Sequence, residues 1–63
     1  MSRYVGDVLL VLRRAADITQ EELASRLGIT QAALSRYEND LREPGNEMLD
    51  RLSEALGVTS DFL

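Results

Sequence analysis

The chain is 63 residues long, carries a net charge of −4, is 44% apolar, and contains neither histidine nor cysteine. A chain of this length forms one small domain, and its apolar fraction is sufficient for a hydrophobic core. Without cysteine there are no disulfides, and without histidine or cysteine a structural zinc site is not expected. We therefore expect stability to come from packing and helix capping, with self-association as a further source.

The sequence has no segment long enough to span a membrane. Its longest fully apolar run covers residues 8–12, whereas a transmembrane helix needs about 20 apolar residues. The first residues lack the long apolar region of a secretory signal, although a piece of a longer chain could have lost one. We therefore expect a cytoplasmic protein without a membrane partner.

The first predicted element is a helix over Arg3 to Ala16. Its expected core stripe has helical spacing and consists of Val5, Leu9, Leu12 and Ala16. A second apolar stripe lies about a quarter turn away on the same helix. We expect this second stripe either to be covered within the monomer or to form a subunit interface. The candidate interface comprises Tyr4, Val8, Val11, Phe62 and Leu63.

Two short helices follow, and their starts repeat one pattern. Ile18-Thr19-Gln20-x-x-Leu23 is followed, eleven residues later, by Ile29-Thr30-Gln31-x-x-Leu34. In each copy the threonine can cap a helix, and the isoleucine and leucine have the spacing of a hydrophobic staple. Leu27-Gly28 is typical of a helix end, because glycine adopts the left-handed conformation at low cost. The pattern predicts helices over Gln20 to Leu27 and Gln31 to Glu38, an outline that indicates a DNA-binding helix-turn-helix.

The last third of the chain predicts a loop and two further helices. The loop covers Asn39 to Gly45 and contains the single proline, and the fourth helix covers Asn46 to Leu56. Gly57 ends that helix, and Val58-Thr59 repeats the start pattern a third time, which predicts a fifth helix. We expect an all-α, compact bundle of five helices in one domain, residues 1–63. The chain either ends on this fifth helix or is the N-terminal part of a longer regulator.

From Leu12 to Phe62 the sequence resembles the phage-repressor and Cro-type helix-turn-helix family, also called XRE. The features that carry the resemblance are Arg13, Thr19-Gln20, Leu23-Ala24, Gly28, Glu38-Asn39, Pro44 and Ala55-Leu56-Gly57. The resemblance implies a lambda-repressor-like fold of five helices whose third helix enters the major groove of double-stranded DNA. An α-helix fits that groove, and its first turns carry the side chains that read bases.

Base-reading side chains are expected on the outer face of the third helix, at Gln31, Ala32, Ser35 and Arg36. Gln31 can both donate to and accept from adenine, and Ala32 can contact the methyl group of thymine. Arg36 can pair with guanine or settle on a phosphate. Ser35 is equally explained by solvent exposure. In the family, positions that match Gln31, Ala32 and Arg36 commonly read bases.

Phosphate contacts are expected around the same helix, at Gln20, Thr30, Asn39 and Arg42. Gln20 lies in the first turn of the second helix, where backbone N–H groups favour an anion, and the family uses glutamine there for a phosphate. The alternative for Gln20 is an exposed polar residue without a ligand. Thr30 is chiefly a helix cap. The family commonly places contacts to the DNA backbone in the loop that contains Asn39 and Arg42.

The resemblance also implies a structural ion pair and shows one departure. The positions of Arg13 and Glu38 form an ion pair in the family, which links the first helix to the end of the third. Asp40 stands where the family usually has glycine. If the turn there needs a positive φ, aspartate tolerates it better than most residues but less well than glycine. The departure bears on the course of residues 39–43 and on the contact expected from Arg42.

Two kinds of function remain open. Residues 1–42 contain six arginines and six acidic residues, so the negative charge lies mostly in residues 43–63, away from the third helix. The first hypothesis is a sequence-specific transcriptional regulator, expected to be a repressor, that binds a palindromic operator as a homodimer. The alternative is a protein-interaction or antitoxin-like module, which the net acidity and the second apolar stripe favour. No catalytic constellation, metal site, cofactor or small-molecule site is predicted, so we do not expect an enzyme.

Overall fold

The computed structural model describes residues 5–59. They form the helices α1 (Val5–Ala15), α2 (Gln20–Leu27), α3 (Gln31–Glu38) and α4 (Asn46–Leu56). Helix α3 packs against both α1 and α2, and α4 packs against α2. The predicted bounds of α2, α3 and α4 are confirmed. Helix α1 ends one residue before the predicted end, and its predicted start at residue 3 lies outside the described residues.

The prediction of five helices is wrong, because residues 5–59 contain four. Val58 lies in a bend after Gly57, and Thr59 is outside any helix. The rest of the predicted fifth helix falls on residues that the structure does not describe. An apolar residue followed by threonine is only a start signal, whereas a helix also requires the turns that follow its cap.

The hydrophobic core lies where the helices meet. Its fully buried side chains are Leu9, Leu23, Leu27, Leu34 and Leu52. Ile18 and Ile29, which precede the two capping threonines, pack against this core. These contacts fix the direction in which the chain enters α2 and α3. Ala16 is exposed, contrary to the predicted core stripe, because α1 has already ended and the chain turns at Asp17, where φ is 58°.

All four helices end with the same backbone motif. The residue in the left-handed conformation is Asp17, Gly28, Asp40 or Gly57, with φ of 58°, 70°, 57° and 72° respectively. The N–H of the next residue donates to the carbonyl five positions earlier, as in Ile18 to Arg13 at 3.2 Å and Leu41 to Arg36 at 2.9 Å. These are Schellman motifs, which satisfy carbonyl groups left without a partner at a helix end. Two of the four use aspartate where glycine is favoured.

Candidate nucleic-acid interface

Threonine caps fix the first turns of α2 and α3. The Oγ1 of Thr19 accepts a hydrogen bond from the N–H of Glu22 at 3.1 Å, and the Glu22 Oε1 accepts from the Thr19 N–H at 3.4 Å, which completes a capping box. In α3, the Oγ1 of Thr30 accepts from the N–H of Ala33 at 3.0 Å. The hydroxyl hydrogen of Thr30 can still donate to a phosphate oxygen.

Helix α3 has a buried side and an exposed side. Leu34 is fully buried and Tyr37 is also in the core. On the other side, Gln31, Ala32 and Arg36 are exposed and Ser35 is half-buried. At about 100° per residue, positions 31, 32, 35 and 36 fall within an arc of about 140° around the helix. The structure therefore brings the four predicted base-reading residues together on one face.

A chain of side-chain hydrogen bonds connects the start of α3 to its end. The Nε2 of Gln31 donates to the Oε1 of Gln20 at 3.2 Å. The Nε2 of Gln20 donates in turn to the Oε1 of Glu38 at 3.0 Å. Gln20, which is predicted to contact a phosphate, is therefore held between both ends of α3, with a second Nε2 hydrogen left for DNA.

Glu38 is a buried carboxylate, only 5% exposed, and it is paired with Arg13. The Nε of Arg13 donates to one carboxylate oxygen at 2.7 Å and Nη2 donates to the other at 3.2 Å. The remaining guanidinium nitrogen, Nη1, donates to the carbonyl of Ile18 at 3.0 Å. Such two-point charged contacts are the strong hydrogen bonds of proteins. The ion pair ties α1 to the end of α3, as the resemblance implies.

Asn39 and Arg42, the two residues after α3 that are predicted to contact phosphates, also have contacts within the protein. The Nδ2 of Asn39 donates to the carbonyl oxygen of Ser35 at 2.8 Å and to its hydroxyl oxygen at 3.3 Å. The guanidinium of Arg42 lies 5.8 Å from the centroid of the Tyr37 ring, a distance that permits a cation–π interaction. Both Asn39 and Arg42 are exposed, so each can approach a phosphate from this position.

Asp40 has a contact that the sequence analysis missed. Its Oδ1 accepts a hydrogen bond at 3.0 Å from the N–H of Gly6, in the first turn of α1. A Cβ atom at Gly6 would lie 2.7 Å from the carbonyl oxygens of Tyr37 and Glu38, so the start of α1 packs directly on the end of α3. The available signals were a glycine inside a helical pattern and an acidic residue at the family's glycine position. Neither signal alone indicates which residues meet.

The predicted interface on α1 is described only in part. Val11 is 64% exposed and Val8 is half-buried. Together with Asp7 and Leu12 they line a shallow groove on the surface of α1. Tyr4, Phe62 and Leu63 lie outside the described residues. Within residues 5–59, no helix has the length and apolar character needed to cross a membrane.

Charge is distributed unevenly between α3 and α4. The outer face of α3 carries Arg36 and no acidic side chain before Glu38, which is buried. Helix α4 exposes Glu47, Asp50 and Glu54 and packs against α2. The outer face of α3 itself therefore lacks exposed carboxylates that would repel phosphate, whereas the exposed Asp40 and Glu43 follow it in the loop.

Known proteins similar to this chain are HTH-type transcriptional regulators and antitoxins by name. The sequence matches the helix-turn-helix family over residues 9–63. It is 39% identical over 59 residues to the HTH-type transcriptional regulator ImmR of Bacillus subtilis, a match that covers 94% of this chain and 46% of ImmR. The uncharacterized HTH-type transcriptional regulator y4dJ of Sinorhizobium fredii is 41% identical over 59 residues, 94% of this chain and 77% of y4dJ.

The antitoxin PezA of Streptococcus pneumoniae is 34% identical over 55 residues, which cover 87% of this chain and 35% of PezA. The chain spans about half the length of ImmR and of YonR, a prophage-derived HTH-type regulator of Bacillus subtilis. The similarity to each of these proteins therefore concerns the part that aligns with the four helices described above.

Proposed function

We propose that this chain, which belongs to the XRE-type helix-turn-helix family of transcriptional regulators, binds double-stranded DNA sequence-specifically and represses transcription in the cytoplasm. In this proposal α3 enters the major groove and its outer face contacts the edges of the bases. The observation that carries the proposal is the exposure of Gln31, Ala32 and Arg36 on one side of a helix whose other side is core. The family is generally not enzymatic, which agrees with a binding function.

Gln31 is the side chain whose chemistry supports base recognition best. Its Nε2 carries two hydrogens, and one of them is donated to Gln20. The second hydrogen and the Oε1 atom have no partner within residues 5–59, and they match the N7 acceptor and N6 donor of adenine. Gln31 can thus contact adenine while it stays bonded to Gln20. That bond restricts the carboxamide before DNA arrives, which lowers the entropy cost of binding.

Contacts around Gln31 would complete the interface. Arg36 would pair with guanine or approach a phosphate, and Ala32 would contact a thymine methyl group. Donors to phosphates would set the position of α3 along the groove without reading sequence. These donors are the second Nε2 hydrogen of Gln20, the Thr30 hydroxyl group, and the side chains of Asn39 and Arg42.

We propose further that two copies bind together as a homodimer. One recognition helix reads only a few base pairs, so a symmetric pair on a palindromic operator would place two half-sites about one helical turn apart. The exposed part of the α1 stripe, Val8 and Val11, is a candidate for the contact between copies.

The experiment is selection of duplexes from a random library, followed by titration of the selected and a scrambled duplex at several salt concentrations. We expect a palindromic site that is bound at least about 10³-fold more tightly than the scrambled duplex at moderate salt. Gln31→Ala should lose roughly 1–3 kcal/mol of discrimination at one A·T position. Glu54→Ala, at an exposed position on α4, is the matched control and should retain the preference. Equal affinity for both duplexes would refute specific recognition.

A second candidate is an antitoxin-like or other protein-interaction module. Three observations favour it, namely the net charge of −4, the exposure of Val11 and the similarity to an antitoxin. The double variant Gln31→Ala/Arg36→Ala separates the two functions in cells. If the variant loses DNA binding and its biological output together, the regulator is supported. An unaffected output supports the interaction module.

A further inference from the structure

We propose that Asp40 is a positioning residue for DNA recognition. It holds the end of α3, and the loop over residues 39–43, against the start of α1. The contact that assigns this role is the hydrogen bond from the Gly6 N–H to the Asp40 Oδ1, at 3.0 Å, between residues 34 positions apart in the chain. The inference rests on the proposed function, because it takes α3 to be the recognition helix.

The N–H of Gly6 needs the acceptor that Asp40 supplies. It donates to the Asp40 Oδ1 at 3.0 Å and belongs to the N-terminal part of α1. Gly6 is buried, so water does not readily replace a lost partner. The carboxylate that accepts this hydrogen bond comes from the residue two positions after the end of α3, 34 positions away from Gly6 in the chain.

The fit between α1 and α3 is close at this point. A Cβ atom at residue 6 would lie only 2.7 Å from the carbonyl oxygens of Tyr37 and Glu38, which is too close for an ordinary contact. These carbonyls belong to the negative end of α3, and they face the positive first turn of α1. The hydrogen bond from Gly6 therefore joins two surfaces that are complementary in shape and in charge.

Two separate ties then hold α3 on α1. One is Asp40 to Gly6, in the first turn of α1. The other is Glu38 to Arg13, about two turns further along α1. With both ties in place α3 has a fixed angle to α1, whereas loss of the Asp40 tie lets the end of α3 pivot about the ion pair. Arg36, Asn39 and Arg42 are nearest to that end, so their contacts with DNA would weaken most.

The chain provides its own control in Asp17. Asp17 ends α1 with the same backbone motif and nearly the same φ as Asp40, 58° against 57°. It is exposed, and no side-chain hydrogen bond of Asp17 is found within residues 5–59. A glycine at either position relieves the same backbone strain, but only the change at Asp40 removes a tie to another helix.

The test compares Asp40→Asn, Asp40→Gly and Asp40→Ala with Asp17→Gly, each in the full chain and on the selected operator duplex. Asparagine keeps an Oδ1 acceptor and tolerates a positive φ, so Asp40→Asn should bind at least as tightly as the wild type. We expect Asp40→Gly and Asp40→Ala to bind about fivefold more weakly and to exchange the Gly6 amide hydrogen about tenfold faster. Asp17→Gly should change neither quantity.

Two results would overturn the proposal. If Asp40→Gly binds as tightly as the wild type, the residue serves only the turn. If Asp40→Asn and Asp40→Gly both bind more tightly by the same factor, its effect is the repulsion between its charge and phosphate. The slope of affinity against salt identifies the second case, because that slope changes with the protein's charge at the contact.

Failure of the proposed function would be visible separately. If the wild-type chain prefers no duplex from the library, sequence-specific binding is refuted. The angle between α1 and α3, measured by residual dipolar couplings in the wild type and in Asp40→Gly, then decides whether Asp40 positions α3. An unchanged angle would overturn the positioning role, and a changed angle with fast Gly6 exchange would support it.

Discussion

The turns after α2 and after α3 have the same backbone geometry, but the residue in the left-handed conformation has a different role in each turn. Gly28 and Asp40 both lie in the left-handed region, with φ of 70° and 57°. A Cβ at Gly28 would have a single neighbour within 4 Å, the Arg51 Nη2 at 3.8 Å, so glycine there serves only the backbone. Asp40 accepts a conformation that costs a non-glycine residue roughly 1–2 kcal/mol, and its carboxylate reaches α1.

The two turns differ in what the residue at the left-handed position contributes. Where the turn only has to reverse the chain, glycine is the least costly residue. At position 40 the hydrogen bond of the aspartate side chain offsets the strain, whereas Asp17 has nearly the same φ and no side-chain hydrogen bond within residues 5–59. The contact of Asp40 lies at the end of α3, whereas Gly28 has no side chain with which to make one.

The largest expected effect comes from removing the carboxylate at the end of α3. Glu38→Ala leaves Arg13 partly buried without its partner, and it also removes the acceptor of Gln20. We expect the free energy of unfolding to fall by about 3–5 kcal/mol, measured by urea denaturation. Glu54→Ala, which removes an exposed carboxylate from α4, should stay within about 0.5 kcal/mol of the wild type. A loss below about 1 kcal/mol for Glu38→Ala would show that the pair contributes little beyond its desolvation.

A smaller loss is expected where α1 meets α3. Gly6→Ala raises the helix propensity of α1 but places a methyl group 2.7 Å from two carbonyl oxygens. Overpacking of this kind costs roughly 1–3 kcal/mol, and it should outweigh the propensity gain of about 1 kcal/mol. Thermal unfolding monitored by circular dichroism measures the balance. An unchanged or raised midpoint would mean that the two helices separate without cost, which would weaken the case for a fixed α3.

The turn of the helix-turn-helix is expected to respond through the backbone alone. Gly28→Ala forces alanine into the left-handed region, which costs roughly 1–2 kcal/mol, although the added methyl group has room. Gly45→Ala is the control, because φ at Gly45 is −73° and nothing lies within 4 Å of its Cβ position. The control should lose roughly 0.5–1 kcal/mol in urea denaturation, the difference between glycine and alanine at an N-cap, and Gly28→Ala should lose more. Equal losses for the two variants would contradict the role given to the positive φ.

The helices that the sequence predicts well are those with local signals. The cap at Thr19 involves Glu22, three residues away, and the cap at Thr30 involves Ala33, so a short window of sequence contains both partners. The same windows predicted a fifth helix wrongly, because Val58-Thr59 has the start signal but no described turn follows it. Local patterns thus predict where a helix can start better than they predict whether a helix forms.

The arrangement of the candidate site was harder to predict. The exposed face of α3 follows from the position of Leu34 in the core, since helical periodicity then fixes which side chains point outward. The bonds from Gln31 to Gln20 and from Gln20 to Glu38 depend on how α2 packs on α3. The contact between Asp40 and Gly6 joins residues 34 positions apart. The hydrophobic periodicity of a sequence does not predict which residues so far apart are in contact.

The smallest expected effect is a gain at the start of α4, whose N-cap residue is Gly45. Gly45 makes no side-chain cap hydrogen bond, whereas Thr19 and Thr30 cap α2 and α3. Gly45→Ser keeps the extended backbone of the cap and adds a hydroxyl acceptor for an N–H of the first turn. Serine exceeds glycine at this position by only a few tenths of a kcal/mol, so the thermal midpoint should rise by about 1–2 °C. Since the cap lies outside the α1–α3 contact, operator affinity should stay constant, and a change in affinity would show that α4 also influences the angle of α3.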